Sequence, residues 1–331
     1  MRPFSESAEV ECRGYSEGLQ RAMTDMGADD AFAGAAAKLK EHYGIEVPMS
    51  AVRGVTEEHG AAMQAQEKGK SDWPDRAGVP VLILEMDGSM LPVVEVVEPV
   101  PGEAPVDRRK TRHVSWKEAR LALAHEAGSV TPIFGATLGS VQEAGERLAV
   151  CALEAGAGCQ TKFHGVGDGA VWITEQMEVQ FGSQAQYVVD FCHLCDYLSA
   201  AGEAIAGQDK STWMEEKKDW LKDNRWKEVL EALRPFVEPA SLPDPEAPVR
   251  ACFRYIFNHS NFLDYKGALA AGLPIGSGEI ESAHRYVFQK RLKIAGGWWK
   301  MENLKKMMAL RVLRANRGWE DYWSNVQQQA A

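Results

Sequence analysis

Val79-Pro-Val-Leu-Ile-Leu-Glu-Met-Asp87-Gly88 is the stretch that decides the fold. Val79–Met86 is almost continuously apolar, the pattern of a strand buried on both faces. Asp87 closes the run. Asp-Gly between apolar segments is also a favoured two-residue hairpin turn, and Val93–Val100 is apolar enough to pair back. Asp87 therefore reads two ways, as a turn residue or as a carboxylate presented at a strand end.

Working outward, Arg120–His125 and Ser129–Phe134 read as short strands joined by a turn at Glu126-Ala-Gly128. Pro101–Arg112 is a polar loop. Ser140–Ala155 reads as an amphipathic helix stopped by Gly156 and Gly158. Thr161–Val166 and Gln186–Asp190 are further strands. From His193 to about Ala270 the pattern turns helical, with Trp213, Trp220, Leu221, Trp226, Val229 and Leu230 as anchors. Glu238–Val249 is a Pro-rich connection without regular structure. Ser282–Arg317 is helical apart from a break at Gly296-Gly297. Before the strands, Ala31–Tyr43 and Ala51–Gln66 read as helices, the second capped by Ser50. They form either a helical hairpin or a helix-turn-helix. Ser71–Gly78 is a polar boundary. The expected class is mixed α/β (α+β), in four parts: an N-terminal helical region (1–76), a first core part (77–193), a helical insertion (194–270) and a final helical part (271–331).

Composition narrows the function classes. Of the 331 residues, 45% are hydrophobic and 25% charged, the balance of a soluble chain with a large core. No apolar run is long enough to span a membrane. Met1-Arg-Pro-Phe-Ser-Glu-Ser lacks the plan of a secretion signal, so cytoplasm is the expected compartment. The six cysteines then read as free thiols. Cys192-His-Leu-Cys195 resembles half a zinc site but has no second pair. The net charge of -10 argues against a protein that coats nucleic acid, yet the charge is unevenly placed. Residues 1–80 carry nine Lys/Arg against fourteen Asp/Glu, whereas residues 281–318 carry ten against two.

Three acids sit in separate strand or helix signals: Asp87, Asp168 in Phe163-His-Gly-Val-Gly-Asp168-Gly-Ala-Val-Trp172, and Glu281 in Gly276-Ser-Gly-Glu-Ile-Glu281-Ser-Ala-His-Arg285. Strand-end and helical carboxylates on rigid elements suit a hard divalent cation with open positions for a phosphate. The glycines around Asp168 allow close backbone approach. Gly165-Val-Gly-Asp-Gly-Ala170 also fits a dinucleotide fingerprint, with Asp190 ending a later strand. The Asp168 charge in the turn opposes that reading, as does its place after antiparallel strands rather than at the start of a βαβ unit. Glu281 and Arg285 could simply pair at i,i+4, but such a pair does not need the preceding Gly-Ser-Gly. Asp190 and His193, as D-x-x-H at a strand-to-helix junction, either order the site or serve as a helix cap and a half-buried ring.

Taken together, these segments resemble the DDE transposases of bacterial insertion sequences, within the Mutator-like superfamily and its Kra-type and Lre-type families. The resemblance spans roughly residues 75–315. Its most specific part is Gly276-Ser-Gly-Glu-Ile-Glu281-Ser-Ala-His284 with Arg291-Leu-Lys-Ile-Ala-Gly-Gly-Trp298-Trp299. It implies an RNase H-like mixed sheet flanked by helices. The first catalytic Asp would lie on the first strand, the second on or just after the fourth, and the Glu on a late helix beyond a helical insertion. Asp87, Asp168 and Glu281 take those places. Asp190 and His193 match the family's C/D-x-x-H motif, which makes Asp190 the rival for the second acid. The implied chemistry is two-metal phosphoryl transfer, with two Mg²⁺ or Mn²⁺ ions held by carboxylates that act as ligands rather than general acids. The implied partners are the element's terminal inverted repeats and target DNA, handled by a homodimer or higher oligomer at the nucleoid. Arg285, Lys290, Arg291, Lys293 and Lys300 would neutralise phosphates, and Trp298 and Trp299 would either stack on an unpaired base or pack in the core. A catalytically silent or truncated DNA-binding relative is the alternative function, and a dinucleotide enzyme the third.

Overall fold

The computed structural model describes residues 10–11, 14–96 and 112–330. Cys12, most of the Pro101–Arg112 loop and Val97–Val100 lie outside the described residues. The centre is a five-stranded mixed sheet: β1 (Val81–Val96), β2 (Arg112–Glu126), β3 (Ile133–Thr137), β4 (Lys162–Gly167) and β5 (Ala185–Val189). The spatial order is β3-β2-β1-β4-β5. β2 runs antiparallel to both β1 and β3, whereas β4 and β5 run parallel to β1.

β1 decides between the two readings of Asp87-Gly88. Asp87-Gly88 is not a turn, because the strand runs through it for 16 residues. Its partner is β2, with Asp87 opposite Leu121 and Val94 opposite Val114. Gly88 lies opposite Arg120 within the ladder, and a Cβ there would meet only the far end of the Glu118 side chain, at 2.5 Å. Pro92 is tolerated because its backbone faces away from β2, and its carbonyl accepts the Trp299 N–H at 3.2 Å. The third strand starts later than the sequence suggests, at Ile133, after the expected turn at Ala127-Gly128.

Alternation along the strands gives the sheet two buried faces. Leu82, Leu84, Met86, Ala122, Ala124 and Phe163 pack against α4 (Val141–Glu154) and α5 (Val171–Phe181). Ser140 caps α4 by accepting the Glu143 N–H at 3.2 Å. On the opposite face Leu91, Leu121, Leu123, Phe134 and Ala136 pack against the C-terminal helical part. That part comprises α11 (Gly278–Ala283), a π-helical turn (His284–Gln289), α12 (Lys290–Leu292) and α13 (Met301–Ala315), followed by α14 (Trp319–Ala330).

Between β5 and α11 lie α6 (Phe191–Ala206), α7 (Lys210–Lys222), α8 (Trp226–Leu233), α9 (Pro248–Asn258) and α10 (Tyr265–Ala270). They enclose a core of their own in which Leu221, Val229 and Leu230 are buried and the expected tryptophans are partly buried. The Pro-rich connection is not wholly irregular. Asp244–Glu246 forms a 3₁₀ turn, and Glu238 accepts the Val249 and Arg250 N–H groups that open α9.

Among the described residues, three helices precede the sheet: α1 (Glu17–Asp29), α2 (Phe32–Tyr43) and α3 (Met49–Ala65). The sequence reading missed α1, and Ser50 lies inside α3, whose N-cap is Pro48. α3 packs on α13 so closely that a Cβ at Gly60 would meet the Lys306 carbonyl at 2.9 Å. His59 joins the same seam, bonding Tyr322 Oη at 2.8 Å and Gln20 Oε1 at 2.9 Å. Among the described residues, no helix is long and apolar enough to cross a membrane.

Candidate functional site

Four acidic side chains from four separate segments line one cavity of about 210 Å³: Asp87, Asp168, Asp190 and Glu281. His193, Ser277, Met86, Ile280 and Gly167 complete the lining, which contains no lysine or arginine. Each acid arrives by a different route.

Asp87 points from the middle of β1 toward the C-terminal helical face. Its Oδ1 accepts the Gly88 N–H at 2.7 Å. Its Oδ2 lies 3.2 Å from His284 Nε2, which is near enough for attraction but too poorly aligned for a hydrogen bond. His284 is buried on the first residue of the π-helical turn, so the local widening of the helix occurs where it faces Asp87.

Asp168 follows β4. Its Oδ1 accepts the Ala170 N–H at 2.8 Å, an Asx-type turn that starts α5. α9 of the insertion grips this turn from outside. Tyr255 Oη donates to the Asp168 carbonyl at 2.6 Å, and His259 Nε2 lies 3.0 Å from the Gly169 carbonyl. Gly169 is required twice over: its φ is +86°, and a Cβ would stand 2.6 Å from His259 Nε2. Burial raises the Tyr255 phenol well above its ordinary range and keeps it a donor. Nothing in the sequence pattern marks Tyr255 or His259, because the contact spans almost ninety residues.

The turn also bears on the dinucleotide reading. β4, α5 and β5 do form a parallel strand–helix–strand unit, so that part of the sequence argument is corrected. The turn's donors are nonetheless taken, since the Ala170 N–H serves Asp168 and the Gly169 N–H goes to Tyr187 Oη at 3.1 Å. A pyrophosphate would need those groups.

Asp190 is buried, and both its oxygens are occupied. Oδ1 accepts the His193 N–H at 2.9 Å, the N-cap bond of α6. Oδ2 accepts the Ser277 N–H at 2.7 Å and the Ser277 hydroxyl. The Phe191 N–H reaches the Ile275 carbonyl at 2.8 Å. The Gly276-Ser277-Gly278 segment is therefore clipped onto the β5–α6 junction, which brings Glu281 beside the other acids. His193 lies edge-on to Tyr197 and Tyr255.

Glu281 is exposed on α11 and has no side-chain partner among the described residues. The expected pair with Arg285 does not form. A second clip holds its helix: buried Glu85, two residues before Asp87, accepts the Ile280 N–H at 2.8 Å. Burial pushes the Glu85 carboxyl up to about 8, opposed by that N–H and reinforced by Glu279, Asp190 and Glu281. The sequence reading passed over Glu85, yet an acid between Leu84 and Met86 in an apolar run was itself a signal.

The donor set is carboxylate oxygen, as a hard cation demands. Among the described residues, no three His, Cys, Asp or Glu side chains stand close enough together to form a metal-holding group. A cation would have to draw Asp87, Asp168 and Glu281 inward. Cys192 and Cys195 belong to no group of three or more potential ligands among the described residues. Both are free, and burial pushes the Cys195 thiol up to about 11.

The basic C-terminal stretch is less available than its charge suggests. Arg291 is buried between the Phe32 and Trp299 rings, 4.6 and 4.8 Å from their centroids, with Nε donating to the Gly27 carbonyl at 2.9 Å. Trp299 is buried too, and its indole N–H donates to the Leu292 carbonyl at 3.1 Å. Arg291 is therefore corrected from a surface contact to core, and of the two readings of Trp299 the core one is found. Arg311 is buried against Asp29, and Arg314 pairs with Asp25 and Asp29. The acidic α1 thus neutralises part of the stretch. Arg285, Lys290, Trp298 and Lys300 remain exposed, and Lys293 bonds Ser89 Oγ at 3.0 Å.

Residues 159–328 match the family described as "Uncharacterised protein family (UPF0236)". The match covers just over half of the chain, and the chain belongs to that family. It takes in Asp168, Asp190, His193 and Glu281 but not Asp87. No curated protein matches the chain.

Proposed function

We propose that this member of UPF0236 is a metal-dependent DNA phosphotransferase of the insertion-sequence transposase type, with Asp87, Asp168 and Glu281 as cation ligands. The observation that carries the reading is the cavity of four carboxylates without a lining lysine or arginine. Clustered carboxylates repel one another, and a bound cation is the ordinary way to offset that cost. The arrangement also suits the RNase H-like reading: one acid on the first strand, one just after the fourth, and a glutamate on a helix beyond a helical insertion.

The candidate ions are Mg²⁺ or Mn²⁺, two per site, and when bound they supply Lewis-acid stabilisation of the attacking and leaving oxygens. The chain's own residues do the rest. Asp87 and Asp168 each keep one carboxylate oxygen free of backbone bonds, and Glu281 keeps both. Asp190 holds the Glu281 segment rather than a cation, because its oxygens already serve three donors. His193 lines the same cavity and would help position substrate. Exposed Arg285, Lys290 and Lys300 would meet DNA phosphates. A homodimer or higher oligomer, working on the element's terminal repeats and target DNA at the nucleoid, belongs to the same proposal.

The test is Mg²⁺-dependent cleavage of DNA spanning the two flanks of the gene. Wild type should cut it, whereas Asp87→Asn, Asp168→Asn and Glu281→Gln should each lose at least a thousandfold in rate. Full activity in Asp168→Asn would overturn the assignment. The second reading, a silent DNA-binding relative, draws on the spacing of the acids, no three of which stand ready for a metal. DNA binding without any metal-dependent cleavage by wild type would favour it.

A further inference from the structure

A second cavity, of about 570 Å³, opens between the N-terminal helices and the Gly296-Gly297-Trp298-Trp299 loop. Its wall combines three features. The first is an exposed aromatic on a fixed support. Trp298 is 49% exposed, while its neighbour Trp299 is buried. The Trp299 backbone is bonded into the free edge of β1, its N–H to the Pro92 carbonyl at 3.2 Å and its carbonyl to the Val94 N–H at 2.8 Å. The turn before it needs its glycines, since Gly296 has φ +72° and a Cβ at Gly297 would strike Ile294 at 2.7 Å. The loop therefore presents one indole outward by anchoring the other.

The second is positive charge held in no ion pair. Arg53, Lys300 and Lys306 line the cavity, and none pairs with a carboxylate among the described residues. Lys306 bonds only Asn303. Glu57 and Glu302 are also in the wall, so the balance is positive but not overwhelming. The third is Arg291 at the back of the cavity, 2% exposed, with no carboxylate partner and with its Nη2 lacking any acceptor. The Phe32 and Trp299 rings on either side already spread its charge, which leaves one buried N–H donor without an acceptor.

We infer that this cavity binds an unpaired stretch of nucleic acid, with one base stacked on Trp298 and the adjacent phosphates met by Arg53, Lys300 and Lys306. An aromatic face beside cations suits a flexible single strand, whose bases are free to stack. A duplex keeps its bases paired and offers only phosphates to the same wall. The cavity is reached along β1, seven residues beyond Asp87, which is roughly 24 Å of extended chain. The inference extends the nucleic-acid reading given above but does not need the carboxylate site, and its test is run without metal so that the two can fail separately.

The experiment is fluorescence anisotropy of a fluorescein-labelled 12-mer oligothymidylate with the full chain in EDTA. Wild type should bind it more tightly than a duplex of equal length. Trp298→Ala should weaken oligothymidylate binding about tenfold or more and leave duplex binding within twofold, while Trp298→Phe should restore most of the loss. Lys300→Glu should weaken both ligands and flatten the salt dependence. Circular dichroism on each variant guards against misfolding, and the recovery by Trp298→Phe guards against it independently. Unchanged oligothymidylate binding in Trp298→Ala would overturn the inference. So would equal losses for single strand and duplex, or displacement of the 12-mer by thymidine monophosphate at an equal concentration of nucleotide.

Discussion

Replacing Asp190 by asparagine separates the two aspartates that compete for the second position in the acidic site. The Asp190 carboxylate accepts three donors: the His193 N–H, the Ser277 N–H and the Ser277 hydroxyl. Asparagine has one acceptor oxygen, so its amide NH₂ must face either His193 or Ser277. If the oxygen keeps His193, the cap of α6 survives almost unchanged. The Ser277 N–H then loses a bond to a charged acceptor, about 1.5–3 kcal/mol, and is left buried against another donor, a further 1–3 kcal/mol or so. Removing the charge relieves repulsion with Glu85, which offsets part of that. The net expectation is a loss of about 2–4 kcal/mol. Asp168→Asn is the control. Its one side-chain bond, to the Ala170 N–H, is kept by the asparagine oxygen, so the cost stays within about 1 kcal/mol. Urea unfolding followed by tryptophan fluorescence reads both variants. Asp190→Asn should unfold at clearly lower urea and Asp168→Asn close to wild type. Equal midpoints for Asp190→Asn and wild type, with Asp168→Asn destabilised instead, would refute the division of roles drawn here.

Three other perturbations follow from the same geometry. Glu85 has its carboxyl raised from 4.5 to about 8, so it binds its proton more readily folded than unfolded. Its contribution to stability is fully present below about pH 4.5 and is lost as pH rises to about 8, up to 5 kcal/mol in the limit. Glu85→Gln keeps an acceptor for the Ile280 N–H, so it should flatten that slope and be more stable than wild type at pH 8.5 in thermal melts. Trp299→Ala removes a buried ring that contacts Phe32 and Arg291 and bonds Leu292, and should cost about 3–5 kcal/mol by chemical denaturation. Tyr255→Phe removes one hydrogen bond to the Asp168 carbonyl, worth about 1 kcal/mol. It should leave the melting temperature nearly unchanged while raising the Mg²⁺ concentration needed for half-maximal cleavage.

The local pattern carried the sheet further than it carried the site's support. A continuous apolar run identified β1, the Gly-rich turn at Asp168 marked the end of β4, and Ser140 with Gly156 bracketed α4, because those signals are contained in a few neighbouring residues. Asp87-Gly88 could not be decided between turn and strand from its neighbours alone. The dipeptide suits a turn, but the apolar residues on both sides gain more by continuing one long strand across β2. α1 was missed because its apolar residues are few, and its burial depends on α3 and on helices almost three hundred residues away. The acids that line the cavity were all named from sequence, each by its own glycine-rich or strand-end context. Their holders were not. Glu85, Ser277, Tyr255 and His259 act through bonds that close only when distant segments meet. The basic stretch was overvalued for the converse reason, since charge counted along the chain does not reveal that Arg291 and Arg311 are buried or that Asp25 and Asp29 face Arg314.

The central claim is that Asp87, Asp168 and Glu281 hold divalent cations in the cavity they share. Crystals grown with Mn²⁺ and measured at the manganese absorption edge test it most directly. The account predicts two anomalous peaks about 4 Å apart, bounded by those three carboxylates, with Asp190 still bonded to Ser277. An empty cavity at millimolar Mn²⁺, or manganese held by Asp190 while Asp168 turns away, would contradict it.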